Sequence, residues 1–386
     1  MRNIYKVFMM GLLGVTLIGC NIKEKKEVTL YMWGGDAKVN SYVQDIAGNY
    51  IKEKEGIDLK AVPVVDIKDV VNKLIIEKQA GKDKGSVDIL WINGENFNEL
   101  KKADLLEKGI LAKMENRKSV KESATLKDFG VDIDGDEVPW GEAQFNFIYD
   151  GNRGDVPFDG WESLREYVKE NPDRFTYPAV SDFTGSAFVR NIAIDMLGYE
   201  NIMKMSDEEF KANLQVVWEY LNEIKPYLWR KGETYPESVG KLDLLYSTGE
   251  IDVTMGYTVN KVNSKIEAGD FSKTSKSFLL KRGTLFNNHY LAIAKSSQNK
   301  EEALKVIDAM ISAQLQYEKQ LPKNWGDFTI LDIEKLNEKD REGFVKLIEN
   351  PNVPSLKELQ EKRVLELSPA KLLIIEREWK EKVGKN

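Results

Sequence analysis

The 386-residue chain has one cysteine, Cys20, and one histidine, His289. A single thiol excludes an internal disulfide, so packing must supply the stability. One histidine without further cysteines cannot build a zinc site of the usual kind. No G-x-S-x-G elbow accompanies His289, so serine–histidine nucleophilic catalysis lacks its parts. Long apolar runs are also missing: beyond the first 20 residues none approaches the roughly 20 needed to cross a bilayer. Basic residues are in deficit, 56 against 63 acidic, and the net charge of -7 leaves no basic face for nucleic acid. With 42% hydrophobic and 31% charged residues, the composition is that of a globular protein. Neither metal nor cofactor is expected.

The position of the cysteine is informative. Arg2 and Lys6 give a positive start, Val7 to Ile18 is mostly apolar, and Gly19 is small, the pattern of a secretory signal. The cassette Leu17-Ile18-Gly19-Cys20 looks like a bacterial lipobox, a class in which cleavage precedes the cysteine and its sulfur carries a diacylglycerol. Two acyl chains are what stable anchoring requires. The expectation is therefore a signal peptide over residues 1–19, lipidation at Cys20 and a polar linker over 20–27. The mature protein would be extracytoplasmic and lipid-anchored, on a periplasmic or outer face according to envelope type. Loss of Arg2 and Lys6 leaves 54 basic against 63 acidic residues, a net charge of -9.

The remaining body of about 360 residues exceeds the size at which one core stops growing, so two domains are expected. "VTLYMW" (Val28 to Trp33) reads as a buried strand. Val39, Tyr42, Val43, Ile46 and Tyr50 recur at helical spacing behind Asp36, a natural N-cap. "IDLKAVPVV" is a second strand, Ile67 to Leu74 a second helix and "SVDILW" a third strand, which together predict a right-handed parallel α/β unit with ligands beyond the strand ends. "VPWGEAQFNFIYD" (Val138 to Asp150) predicts a strand crossing between lobes, and "GTLFNNHYLAIAK" the return, with Asn287 and Asn288 in a loop before a strand over Tyr290 to Ala294. "NPDRFTYPAV" reads as a strand with turns. The charged segment from Leu321 onward reads as helical.

Several strand ends carry residues suited to binding. After the first strand stands "WGGD", where glycine admits close backbone approach, Trp33 offers a π face and Asp36 a charge. After the third comes "WINGENF", with Asn93, Glu95 and Asn96. Trp140 and Gln144 lie on the first crossing. Thr184, Gly185 and Ser186 open a helix, whose N–H groups and hydroxyls would suit a phosphate or carboxylate. No lysine follows that glycine, so it is not a Walker loop. Tyr257 and Asn260 end the strand in "GEIDVTMGYTVN" and would give a second aromatic wall.

These blocks resemble the solute-binding lipoproteins of bacterial ABC importers over nearly the whole mature chain. "MWGGDAKVNSYV", "GSVDILWINGENF", "PWGEAQFNFIYD" and "RFTYPAVSDFTGSAF" are most similar to the thiamine-type branch. The resemblance implies a two-lobed periplasmic-binding-protein-like fold of type II, α/β, each lobe a sheet flanked by helices and joined by crossover strands. Lobe 1 would comprise 28–140 and 286–320, lobe 2 141–285 and 321–386. It implies capture of a small polar, phosphorylated or cationic solute, such as thiamine or a thiamine phosphate, and delivery to a permease and its ATPase by a monomer that does no chemistry itself. Trp33, with Trp140 or Tyr257, would stack on a cationic ring, Asp36 or Glu95 would oppose its charge, and Gly34, Asn93, Asn96, Gln144, Thr184, Gly185, Ser186 and Asn260 would complete the site. Iron-binding relatives hold ferric ion with adjacent tyrosines, and this chain has no Tyr-Tyr pair.

The alternative is a surface glycoside hydrolase or other carboxylate-based hydrolase, for which "DIDGDE" (Asp132 to Glu137) is the place to look. That stretch lacks the ligand spacing of a calcium loop and reads as a solvated turn.

Overall fold

The computed structural model describes residues 26–34, 36–348 and 350–384. The expected signal peptide, Cys20 and linker residues 21–25 lie outside them. Strand β1 (Lys26–Trp33) pairs in parallel with β2 (Ile57–Val64) on one side and β3 (Ile89–Ile92) on the other. It begins two residues earlier than expected, since Lys26 and Glu27 pair with Ile57 and Asp58. Val28, Leu30 and Met32 are buried on one face while Tyr31 packs on the other, so both faces are covered, as parallel sheets require. The helix beginning at Ala37 runs through one π-helical turn, Tyr42–Ala47, to Glu55 and buries Val39, Tyr42, Val43, Ala47 and Ile51. It stops at Gly56, whose φ of 68° is the left-handed end that glycine tolerates.

A short hairpin, β4 (Lys127–Asp128) and β5 (Val131–Asp132), precedes the first crossing. There β6 (Glu137–Gln144) runs through Phe145 into β7 (Asn146–Asp150). β7 is the centre of a second, antiparallel sheet with β8 (Val253–Gly256) and β9 (Ser275–Phe278). The return strand β10 (Thr284–Ile293) then inserts antiparallel between β3 and β6, and its first residues pair with β11 (Arg363–Leu365). The first sheet therefore has six strands, β2-β1-β3-β10 in order with β6 and the short β11 both paired to β10. The Phe145 amide donates to the Leu285 carbonyl at 2.8 Å, joining the two crossings.

Two bodies of core result. One packs both faces of the first sheet. The other surrounds β7 to β9, from Phe145 to Leu285. The segment after Leu321, expected to belong to lobe 2, divides between them. Trp325, Ile330, Leu331 and Phe344 pack with the first sheet, whereas Leu359, Leu367, Ile374, Ile375 and Trp379 pack with the second.

Two local expectations fail. "NPDRFTYPAV" forms no strand, because its backbone bonds go to loops, with Trp229 donating to Phe175 and Ala179 to Pro236. Asn287 and Asn288 are in β10, not in a loop, because they pair with Ala143 and Glu142 of β6.

Candidate functional site

One group of the expected site residues stands at the carboxyl ends of β1 and β3. Trp33 is 39% exposed and meets Trp91 edge-on, with ring centroids 6.4 Å apart. Gly34 donates to the Val64 carbonyl at 2.9 Å, and a Cβ there would overlap Pro63, so glycine is required for the close approach. Asp36 caps its helix, accepting from the Lys38 and Val39 amides at 2.7 and 3.4 Å. The Lys38 ammonium reaches across to the carbonyls of Ser264 and Pro322, both at 3.0 Å, and burial lowers its pKa. Beyond β3, Asn93 is extended and Gly94 has φ 55°. The Gly94 amide donates to Asp128. Glu95 is half-buried with one carboxylate oxygen unpartnered. Burial raises its pKa, against the pull of its own amide and of Arg190. Asn96 is buried, its side-chain oxygen also unpartnered.

A second group is carried by helix Phe183–Leu197. The expectation of free N–H groups at its start is corrected by Asp182. That carboxylate accepts from Thr184 and Gly185 at 2.8 and 3.2 Å and from Val239 at 3.0 Å, so the position suited to a phosphate is already filled by an anion. Thr184 and Ser186 are buried, and the Ser186 hydroxyl accepts from Arg190 at 2.6 Å. A Cβ at Gly185 would overlap the carbonyl oxygens of Pro178 and Ala179. Gly185→Ala is expected to destabilise the protein by about 1–3 kcal/mol in urea unfolding, because the opposing atoms are backbone and cannot rotate away.

Sequence reasoning missed a buried charge on this helix. Arg190 is fully buried and pairs with Glu366 through Nε at 3.0 Å and a second nitrogen at 3.2 Å. The Tyr257 hydroxyl donates to Glu366 at 2.6 Å and the Asn287 amide at 3.2 Å. The Phe183 ring lies 5.0 Å from the guanidinium and 5.1 Å from the Tyr257 ring. A lone arginine inside the apolar run "AFVRNIAIDML" was a readable signal. Glu366, 176 residues away, had none.

Three expected site residues lie elsewhere. Trp140 is wholly buried among Trp91, Trp325 and His289, so it offers no open face. The Gln144 amide donates to the Lys362 carbonyl at 3.0 Å beside the crossing. Asn260 is buried, accepting from Asn263 at 3.3 Å and packed by Gly326. His289, expected to be an ordinary polar residue in a loop, is instead buried within β10, with Nε2 2.9 Å from Asp327. Among the described residues no group of three or more histidine, cysteine, aspartate or glutamate side chains could hold a metal.

Over residues 46–326 the sequence matches the family model of bacterial extracellular solute-binding proteins. The chain belongs to this family. The solute-binding protein is 34% identical to protein YnjB of Escherichia coli over 316 residues, 81% of each chain. Its fold is similar to that of an ABC transporter protein of Clostridium perfringens (17% identity, 92% of this chain and 98% of that one, TM-score 0.63). A spermidine/putrescine ABC transporter substrate-binding protein of Streptococcus pneumoniae, PotD, is similar in fold as well (13% identity, 92% and 99%, TM-score 0.65). The solute-binding protein thus has the two-lobed α/β fold of these structures, and its family acts outside the cytoplasm. It is not an enzyme, and the hydrolase alternative falls with that assignment. No helix among the described residues is long and apolar enough to cross a membrane.

Proposed function

We propose that this solute-binding protein captures an organic cation, thiamine being the first candidate, in the crevice between Trp33, Asn93 and Glu95 on one side and Tyr257 on the other. The observation that carries the reading is the excess of acid there. Glu95 has an unpartnered carboxylate oxygen, and Arg190, whose charge acts on Glu95, is already committed to Glu366. An unpaired, half-desolvated carboxylate gains most from a cation. A phosphorylated solute fits less well, since Asp182 occupies the helix start. Trp33 supplies the exposed indole face on which a cationic heteroaromatic ring would stack. A solute touching both walls favours the closed arrangement by its differential affinity. Attachment through Cys20, action as a monomer and lobe boundaries at the two crossings complete the proposal.

Calorimetric titration with thiamine, thiamine phosphate and spermidine tests it. Thiamine should bind, and the phosphate ester should bind no more tightly. Tighter binding of the phosphate ester would contradict the reading, whereas spermidine binding in place of thiamine would keep the charge and replace the ring. Trp33→Ala should weaken thiamine binding by about 1–2 kcal/mol and leave the melting temperature nearly unchanged. A sharp fall in melting temperature with intact affinity would make Trp33 a packing residue.

A further inference from the structure

Beneath the Asn93–Glu95 turn lie two carboxyl groups that the proposed capture does not use. Asp128 is 2% exposed and accepts from the Gly94 amide. Glu137, at the start of β6, is 0% exposed, and neither of its oxygens has a partner. An ionised carboxylate so placed would lose its hydration without receiving a donor, a state that proteins avoid by neutralising the group. The surroundings do not supply the missing charge. Helix Gly94–Lys102 contributes Glu95 and Lys101, and Lys101 is already paired with Asp134 at 2.6 Å. β10 contributes Tyr290, whose hydroxyl bonds to the Ala124 and Lys127 carbonyls and to the Asn288 amide. Asp136 and Glu366 add negative charge. Burial first raises the pKa of both Asp128 and Glu137 well above the usual carboxylate range, and repulsion adds to it, from Glu95 and Glu366 on Asp128 and from Asp128 and Asp136 on Glu137.

We propose that the Asp128–Glu137 pair carries at least one proton in the solute-free protein and releases it to solvent when an organic cation enters the crevice, so that capture exchanges a proton for the solute. The inference rests on the cationic reading above. A positive charge beside Glu95 lies next to the Gly94 amide that holds Asp128, and it favours the ionised form of the pair. Linkage makes the effect reciprocal: a solute that expels a proton is itself bound more tightly as pH rises. For one proton released, affinity rises up to tenfold per pH unit across the window in which the pair titrates. No bond of the solute is made or broken, and the proton goes to the buffer.

The test uses the full chain. Infrared difference spectra of wild type against Glu137→Gln and Asp128→Asn at neutral pH should show the carbonyl stretch of a protonated carboxylic acid, lost in at least one variant. Titrations with thiamine and with spermidine in buffers of different ionisation heat should show proton release approaching one per cation, and little in Glu137→Gln, whose affinity becomes nearly independent of pH. Absence of the protonated-acid band overturns the proposal, as does cation binding whose heat is the same in every buffer. Failure of both cations to bind removes the cationic reading, and the infrared band then decides the proton independently. Should one variant fail to fold, the wild-type band and buffer dependence decide.

Discussion

Replacing Arg190 with methionine is expected to cost about 3–5 kcal/mol of stability in urea unfolding, the largest effect among the residues of its helix. The guanidinium is 0% exposed, bonded to both oxygens of Glu366 and to Ser186. Burial works against its charge, but Glu366, Tyr257 and Glu376 together outweigh burial and raise its pKa. Methionine fills much of the volume and leaves Glu366, itself 5% exposed, with only the Tyr257 and Asn287 donors. The loss is therefore that of an uncompensated buried charge rather than of packing. The double change Arg190→Met with Glu366→Gln should recover most of it, because no charge then remains to be neutralised. A single-variant cost below about 1 kcal/mol would mean that the pair is solvated.

Lys319→Met is expected to destabilise by a similar amount, about 3–5 kcal/mol, and to shift acid unfolding to higher pH. The Lys319 ammonium is 0% exposed and donates to Asp327 at 2.6 Å, to the Phe328 carbonyl at 3.1 Å and to the Trp140 carbonyl. Its charge lies 5.5 Å from the rings of both Trp140 and Trp325. Burial lowers the pKa of Lys319, and Asp327 offsets part of that. On Asp327 burial acts to raise the pKa, but His289 and Lys319 together hold it below the usual range. A carboxyl depressed in the folded state contributes stability that is present above its unfolded value of about 3.9 and lost as pH falls through the lower folded value. Without Lys319 only His289 opposes burial, so that depression shrinks and acid unfolding begins at higher pH. Fluorescence of the surrounding tryptophans, followed from pH 7 to pH 2, measures the shift; an unchanged midpoint would exclude the pair from acid stability.

The repeating parts of the fold were readable in the sequence, for physical reasons. β1 and the helix that follows show up as periodic burial, and Asp36 caps that helix as its position suggests. The crossings were readable because Phe145, Phe147 and Tyr290 sit in strands that change sheet partners. Asp182 escaped notice because a residue ahead of the Thr184–Ser186 motif decides whether that helix start is free. Trp140 was misjudged because its exposure depends on Trp325 and Lys319, both distant in sequence. The Arg190–Glu366 pair exposes a general limit: a local pattern marks an unusual arginine, but its partner is fixed by the tertiary fold.

Native mass spectrometry of the gently purified protein, compared with its Glu95→Gln variant, tests the central claim most directly. The account predicts a co-purified small molecule bearing positive charge, held by the wild type and depleted at least tenfold in the variant. A bound anion, or equal occupancy in both proteins, would contradict it.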